Sequence, residues 1–153
     1  MSLESVRAFF AERAPDIAVI ELQTSTATVA EAGHGVSPAQ IAKTLSIRIG
    51  EQVALIVTRG DARLDNRKAK AFFGGKVRML DLAEVEALTG HPVGGVCPFG
   101  LQAPLPVYCD ISLKAFDEVV PAAGSTHSSV RIAPARMAAL TEATWADVCQ
   151  VPG

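Results

Sequence analysis

One stretch constrains this chain more than any other. Gly90-His-Pro-Val-Gly-Gly-Val-Cys-Pro-Phe-Gly100 holds four glycines and two prolines in eleven residues. Glycine costs backbone entropy in a regular element and proline removes an amide donor, so neither helix nor strand runs through it. Long ordered loops are uncommon in compact domains, and those that exist are often functional. Two readings are open. The segment is a surface connection, or it is a loop whose glycines let backbone N–H and C=O groups approach a ligand while Pro92 and Pro98 stiffen the path. Fixed donors of that kind polarise a carbonyl without a catalytic side chain.

Regular elements are predicted on either side. Ser2 to Ala14 reads as a helix, with Leu3, Val6, Phe9 and Phe10 on one stripe and Pro15 just past its end. Ile17 to Leu22 reads as a strand. Thr28-Val-Ala-Glu31 has the form of a capping box and opens a short helix that stops near Gly33 to Gly35. Ser37, Pro38 and Gln40 signal a second helix start, good for about two turns. From Thr44 the period becomes two, with Leu45, Ile47 and Ile49 alternating with Thr44, Ser46 and Arg48. Lys43 is thus expected at a helix-to-strand junction. Gly50-Glu51 turns this strand into Gln52 to Thr58 as an antiparallel hairpin. Asp65 caps a basic helix ending at Gly74-Gly75, Lys76 to Leu80 fits a strand, and Asp81-Leu-Ala-Glu84 is a further capping box whose helix closes at Gly90. Past the loop, Leu105 to Cys109, Glu118 to Val120 and Ser128 to Ile132 read as strands, and Pro134 to about Ala143 as a helix. With no internal repeat or low-complexity linker, 153 residues make one α+β domain with a mixed sheet.

Composition narrows the function classes. The chain is 49% apolar and 20% charged, enough for a core and unlike a disordered protein. Its net charge of −2 excludes polybasic wrapping of a nucleic acid, and DNA is not an expected partner. Six Phe, one Trp and one Tyr are too few for a platform that stacks many bases. The longest apolar run, Val53 to Val57, is far short of the roughly 18–20 residues of a membrane helix. The first ten residues carry no basic-then-apolar signal, so a soluble, cytoplasmic chain with no membrane partner is expected. Cys97, Cys109 and Cys149 form no CxxC pair, and His34, His91 and His127 never fall at metal-ligand spacing, so neither a metal nor another cofactor is expected. No P-loop, dinucleotide-binding glycine motif or serine elbow occurs.

Charge is uneven along the chain. Residues 59–78 carry Arg59, Arg63, Arg67, Lys68, Lys70, Lys76 and Arg78 against only Asp61 and Asp65. This is a solvated face or a small patch for one or two phosphates on an otherwise acidic body. Three further candidates carry chemistry. Lys43, among apolar neighbours, either snorkels to solvent or holds a fixed ammonium in a cleft, suited to a phosphate or a developing oxyanion. His127, in Gly124-Ser-Thr-His-Ser-Ser129, either moves a proton near neutral pH or satisfies loop carbonyls. Cys97 is a thiol nucleophile with His91 or His127 as base, or a small buried hydrophobe.

Three blocks taken together resemble the YbaK/prolyl-tRNA synthetase-associated editing domain family: STATVAEAGHGVSPAQIAKTL at 25–45, GHPVGGVCPFGL at 90–101 and AAGSTHSSVRIAP at 122–134. Each is weak alone, and their order and spacing carry the likeness over essentially the whole chain. The resemblance implies a mixed, bifurcated sheet surrounded by helices and hydrolysis of amino acids wrongly esterified to tRNA. It also implies the 3′ end of aminoacyl-tRNA and prolyl-tRNA synthetase as partners. By motif it gives Lys43 the role essential for deacylation and places Gly94, Gly95, Val96, Cys97 and Pro98 in a GxxxP loop beside the scissile ester. Thr26 and Thr28 would line the amino-acid pocket, and His127 falls near a histidine that some members use. Cys97 stands where many relatives carry serine. Water assisted by the terminal ribose hydroxyl would be the nucleophile. Arg63, Arg67 and Lys68 are the candidates for contact with tRNA phosphates.

Overall fold

The computed structural model describes residues 2–21 and 37–152. The helix expected from Thr28 lies outside them, as do Thr26 and His34. The sheet is built on a hairpin of β2 (Ile41–Ile49) and β3 (Gln52–Arg59), in register from Ala42 opposite Arg59 to Ile49 opposite Gln52. β3 pairs in parallel with β6 (Val107–Asp110), and β6 with β9 (Thr144–Ala146). The other edge of β2 is shared. β5 (Val77–Met79) runs antiparallel to Ile47–Ile49, and β7 (Val120–Pro121) runs parallel to Ile41–Ala42. The mixed sheet therefore forks at β2, and among the described residues no strand lies beside Lys43, Thr44 and Leu45 on that edge.

Alternation along β2 and β3 feeds a core on each face. Ala42 and Val57 join Val6, Phe10, Phe99 and Met137 on one side. Ile47 and Ile56 join Ala54, Ala69 and Val148 on the other. Helix α1 (Ser2–Arg13) lays Val6 and Phe10 into the first core, with the Phe10 ring 4.7 Å from that of Phe99. Ser5 Oγ donates to the Gly100 carbonyl at 2.9 Å, so the end of the Gly-Pro segment is fastened to α1. Helix α2 (Asn66–Phe73) starts as expected, with Asp65 accepting from the amides of Arg67 and Lys68, and α3 (Leu82–Thr89) closes at a left-handed Gly90. Helix α4 (Pro134–Thr141) packs Met137 and Ala138 inward.

Several expectations are corrected. The helix after Ser37 is only a 3₁₀ turn, Pro38–Gln40, and the Ser37 side chain makes no capping bond. Ile41 and Ala42 are drawn into the ladders with β7 and β3 instead. Lys43 is thus the third residue of a strand rather than a junction. The box at Asp81 does not form either, because Glu84 accepts from Arg48 at 2.7 Å. The strands expected over Ile17 to Leu22 and Ser128 to Ile132 are shorter than expected, β1 (Ile20–Glu21) and β8 (Ser128–Ser129), and pair with each other. The pair β4 (Arg63–Leu64) with β10 (Cys149–Gln150) has no counterpart among the expected strands. Asp110 holds one of these in place: its buried carboxylate accepts from Val148 N at 2.9 Å, Cys149 N at 3.1 Å and Ser112 N at 3.1 Å. No described helix is long and apolar enough to cross a membrane.

Candidate active site

The fork in the sheet opens into a cleft of about 300 Å³. Its floor is the Ile41–Ser46 stretch of β2. Leu80, Leu82 and Val85 form one wall, and Val93, Gly94, Val96 and Ala122 the other. Met79, Leu82 and Val93 are 53%, 72% and 49% exposed, which marks the mouth. The lining is mostly aliphatic, suited to a small apolar or weakly polar group rather than a large charged one.

The Gly-Pro segment reaches this cleft because its backbone packs without side chains in the way. Gly94 has φ +91°, and a Cβ there would meet Thr126 Cγ2 at 2.9 Å. Gly95 is buried against the backbone of Ser125, 2.7 Å from where its Cβ would stand. Gly95 N donates to the Pro92 carbonyl at 2.9 Å, and Gly124 N donates to the Gly95 carbonyl at 3.1 Å. The second and third sequence blocks are thereby one structural unit.

The predicted site residues divide. Lys43, Gly94 and Val96 border the cleft. Pro98 does not: it is buried and faces a separate depression with Phe9 and Arg13. His127 is exposed beside the cleft wall, its Nδ1 2.7 Å from Thr126 Oγ1. Thr26 and Thr28 lie outside the described residues. Strand alternation sends the Lys43 side chain to the face of Leu45 and Ile47, above its cross-strand neighbour Thr58. Its charge adds a little to the Arg59 hydrogen bond that holds the Asp61 carboxyl down, and slightly offsets the burial that pushes the Cys149 thiol up to about 11. An ammonium on that face meets a group in the cleft only around the open edge of β2.

The thiol-nucleophile reading of Cys97 fails. Cys97 is fully buried, and desolvation pushes its thiol up to about 12. His91 Nε2 is 3.6 Å from its Sγ, but that nitrogen is 2.7 Å from the Phe99 carbonyl and donates to it. Burial also lowers the His91 pKa and keeps the ring neutral. A thiol with no ionising partner and no path to solvent is a core residue.

The basic segment is partly spent on the fold. Arg59 binds Asp61, donating from Nε at 2.6 Å, and lies over the Phe116 ring. Lys68 donates to Asp147 at 3.0 Å and to the Cys149 carbonyl at 3.2 Å. Arg63 and Arg67 are exposed on β4 and α2, away from the cleft lining, while Arg78 adjoins Met79 at its mouth. Thr44 was missed. Its only sequence signal was a hydroxyl at a position of β2 that alternation turns away from Leu45 and Ile47.

The family model of the aminoacyl-tRNA editing domain matches residues 21–140. This chain belongs to that family. It is 47% identical over 154 aligned positions, 98% of each chain, to the uncharacterized protein YwhH of Bacillus subtilis (strain 168). It is 32% identical over 127 positions to the "Putative Cys-tRNA(Pro)/Cys-tRNA(Cys) deacylase EbsC" of Enterococcus faecalis (strain ATCC 700802 / V583), covering 81% of this chain and 76% of that one. A crystal structure described as that of "a putative trans-editing enzyme for prolyl tRNA synthetase" superposes with a TM-score of 0.89 at 35% identity, covering 97% of both chains.

Proposed function

We propose that this chain is a trans-editing aminoacyl-tRNA deacylase that removes a small amino acid wrongly esterified to the 3′ end of a tRNA, with tRNA for proline the first candidate. One observation carries the reading. In a member of the editing family, the forked edge of β2 bearing Lys43 and the glycine backbone at Gly94 enclose a single cleft of about 300 Å³. The descriptions of EbsC and of the similar crystal structure support it.

An aminoacyl ester is already activated, so its hydrolysis needs positioning and carbonyl polarisation more than a strong nucleophile. In this reading water attacks, assisted by the terminal ribose hydroxyl. The loop backbone at Gly94, which borders the cleft, lies beside the ester, while the Gly95 amide stays on the Pro92 carbonyl and holds the loop in shape. Lys43, reaching around the β2 edge, holds the terminal phosphate or the polarised ester. Such a second sieve is needed because a synthetic site separates small apolar side chains by only about 1–3 kcal/mol. Prolyl-tRNA synthetase, as the source of the mischarged substrate, is the proposed protein partner.

The test is a panel of tRNAs charged with different small amino acids, scored for release under single turnover. Release well above the spontaneous rate from at least one member supports the enzyme. Binding of charged tRNA without release from any would mark a non-catalytic module that grips tRNA ends.

A further inference from the structure

The described part of the cleft holds one buried side-chain polar atom that the fold leaves unsatisfied. Thr44 lines the floor, and its Oγ1 is buried without a hydrogen-bond partner; among the described residues only His91 Nδ1 shares that state. A buried hydroxyl without a partner is costly, and native structures rarely keep one without reason. Among the described residues of the lining, Leu80, Val85, Val96 and Ala122 are aliphatic, and neither Lys43 nor Ser46 bonds to it. The backbone beside it is also turned toward the gap. Ser46 accepts from Leu80 N at 3.0 Å on the outer edge of β2. Two residues earlier, Thr44 directs its own N–H and C=O to the same side, between the ends of β5 and β7.

We propose that Thr44 is the specificity-determining residue of the cleft, and that its hydroxyl selects small amino acids carrying a side-chain hydroxyl or thiol over alanine. This rests on the deacylase reading. The amino and carbonyl groups common to every aminoacyl ester suit the strand edge, which cannot tell one amino acid from another. Of the polar side chains that line the cleft, Lys43, Thr44 and Ser46, Thr44 carries the hydroxyl that is buried without a partner, and that hydroxyl can. It both donates and accepts, so it fits serine, threonine or cysteine, whereas an alanyl group leaves it as orphaned as before. Sites that hydrogen-bond a substrate group discriminate strongly against the analogue that lacks it.

Calorimetry with adenosine carrying serine or alanine through a non-hydrolysable 3′-amide tests this on wild type, Thr44→Val and Thr44→Ser, with melting curves for each. Wild type should bind the seryl compound roughly 10- to 100-fold more tightly. Thr44→Val should lose that preference by weakening the seryl compound alone, with the alanyl compound held within about twofold, and Thr44→Ser should retain it. Equal affinities in wild type, no binding of either compound, or an unchanged preference in Thr44→Val (a hydroxyl satisfied by water) would each overturn the proposal. So would equal weakening of both compounds, which is a structural effect. Parallel deacylation of seryl- and alanyl-tRNA separates the two readings. A seryl preference in binding with no turnover sinks the deacylase and leaves Thr44 as the selector, whereas turnover without a serine preference does the reverse.

Discussion

The amide of Gly124 donates to the carbonyl of Gly95 at 3.1 Å. A Cβ on Gly95 would stand 2.7 Å from both the backbone N and Cα of Ser125. The Gly-Pro loop and the segment before β8 therefore touch backbone to backbone, and the cleft wall depends on the missing side chain. Gly95→Ala is expected to push the two apart at a cost of about 1–3 kcal/mol. For a chain of this size that lowers Tm by roughly 2–4 °C per kcal/mol. Deacylation should fall with it. Gly75→Ala, which meets nothing within 4 Å and has no positive φ, is the control and should melt with wild type. Equal melting of both variants would show that the loop yields freely.

Cys97 supplies packing, not a nucleophile. With its thiol pushed up to about 12 by burial, the thiolate fraction at pH 8 is on the order of 10⁻⁴. Cys97→Ser keeps a donor for the Phe99 carbonyl, now 3.6 Å from Sγ. It should deacylate within about threefold of wild type, and iodoacetamide should leave native activity intact. Rapid alkylation with matching loss of activity, abolished in Cys97→Ser, would reinstate the thiol mechanism.

His91 makes stability depend on pH in a definite direction. Burial lowers its folded pKa below the ordinary 6.5, so the folded protein keeps the ring neutral, with Nε2–H on the Phe99 carbonyl. Below about pH 6.5 the unfolded chain takes up a proton that the folded chain refuses. Stability is therefore complete above 6.5 and declines as pH falls toward the folded pKa, by up to about 1.4 kcal/mol per pH unit. Urea unfolding of wild type and His91→Gln between pH 7.5 and 5 measures it. The variant is less stable at neutral pH but should lack this part of the slope, and parallel curves would refute the assignment.

Legibility followed the length scale of the signal. The β2–β3 hairpin and α1 announce themselves by local periodicity, and Asp65, Gly74 and Gly90 mark helix ends by residue chemistry that acts within one turn. The 3₁₀ turn at Pro38 was misread because its capping pattern competes with a ladder whose partner, Val120, lies about 80 residues away. Glu84 was misread for the same reason, since Arg48 outbids its own helix terminus. Of the residues singled out by motif resemblance, Lys43 and Gly94 border the cleft, whereas Pro98 faces another surface. Thr44 escaped because its isolation is a property of the fork, which no local pattern encodes.

The basic segment should act through phosphates. Arg63 and Arg67 are exposed, and Lys68 is held by an exposed pair with Asp147 that solvent largely screens. Changing all three to Glu is expected to raise KM for charged tRNA and flatten its salt dependence. Because Lys68 also bonds the Cys149 carbonyl, melting curves are needed alongside. A triple variant that melts normally and keeps the wild-type salt slope would remove α2 and β4 from the tRNA contact.

Lys43 bears the heaviest mechanistic expectation. It sits on β2 at the fork, half-buried, with its backbone fixed by pairing opposite Thr58. If its ammonium reaches around the open edge to charge developing on the ester or to the terminal phosphate, Lys43→Ala loses a contact strongest in the reacting complex. The expected loss is about 2–4 kcal/mol, or roughly 30- to 1000-fold in single-turnover deacylation. Lys43→Arg should rescue poorly, because a planar guanidinium does not replace a compact ammonium in a space shared with Thr58. Melting should change little, since the neighbouring Asp61 keeps its stronger partner, the Arg59 guanidinium. The single-turnover rate and the melting curve are read together on wild type and both variants. A rate within threefold of wild type in Lys43→Ala would make the residue only part of the cleft wall. A joint collapse of rate and Tm would make its role structural. A rate loss with an unmoved Tm is the outcome that places the ammonium at the reacting ester or its phosphate.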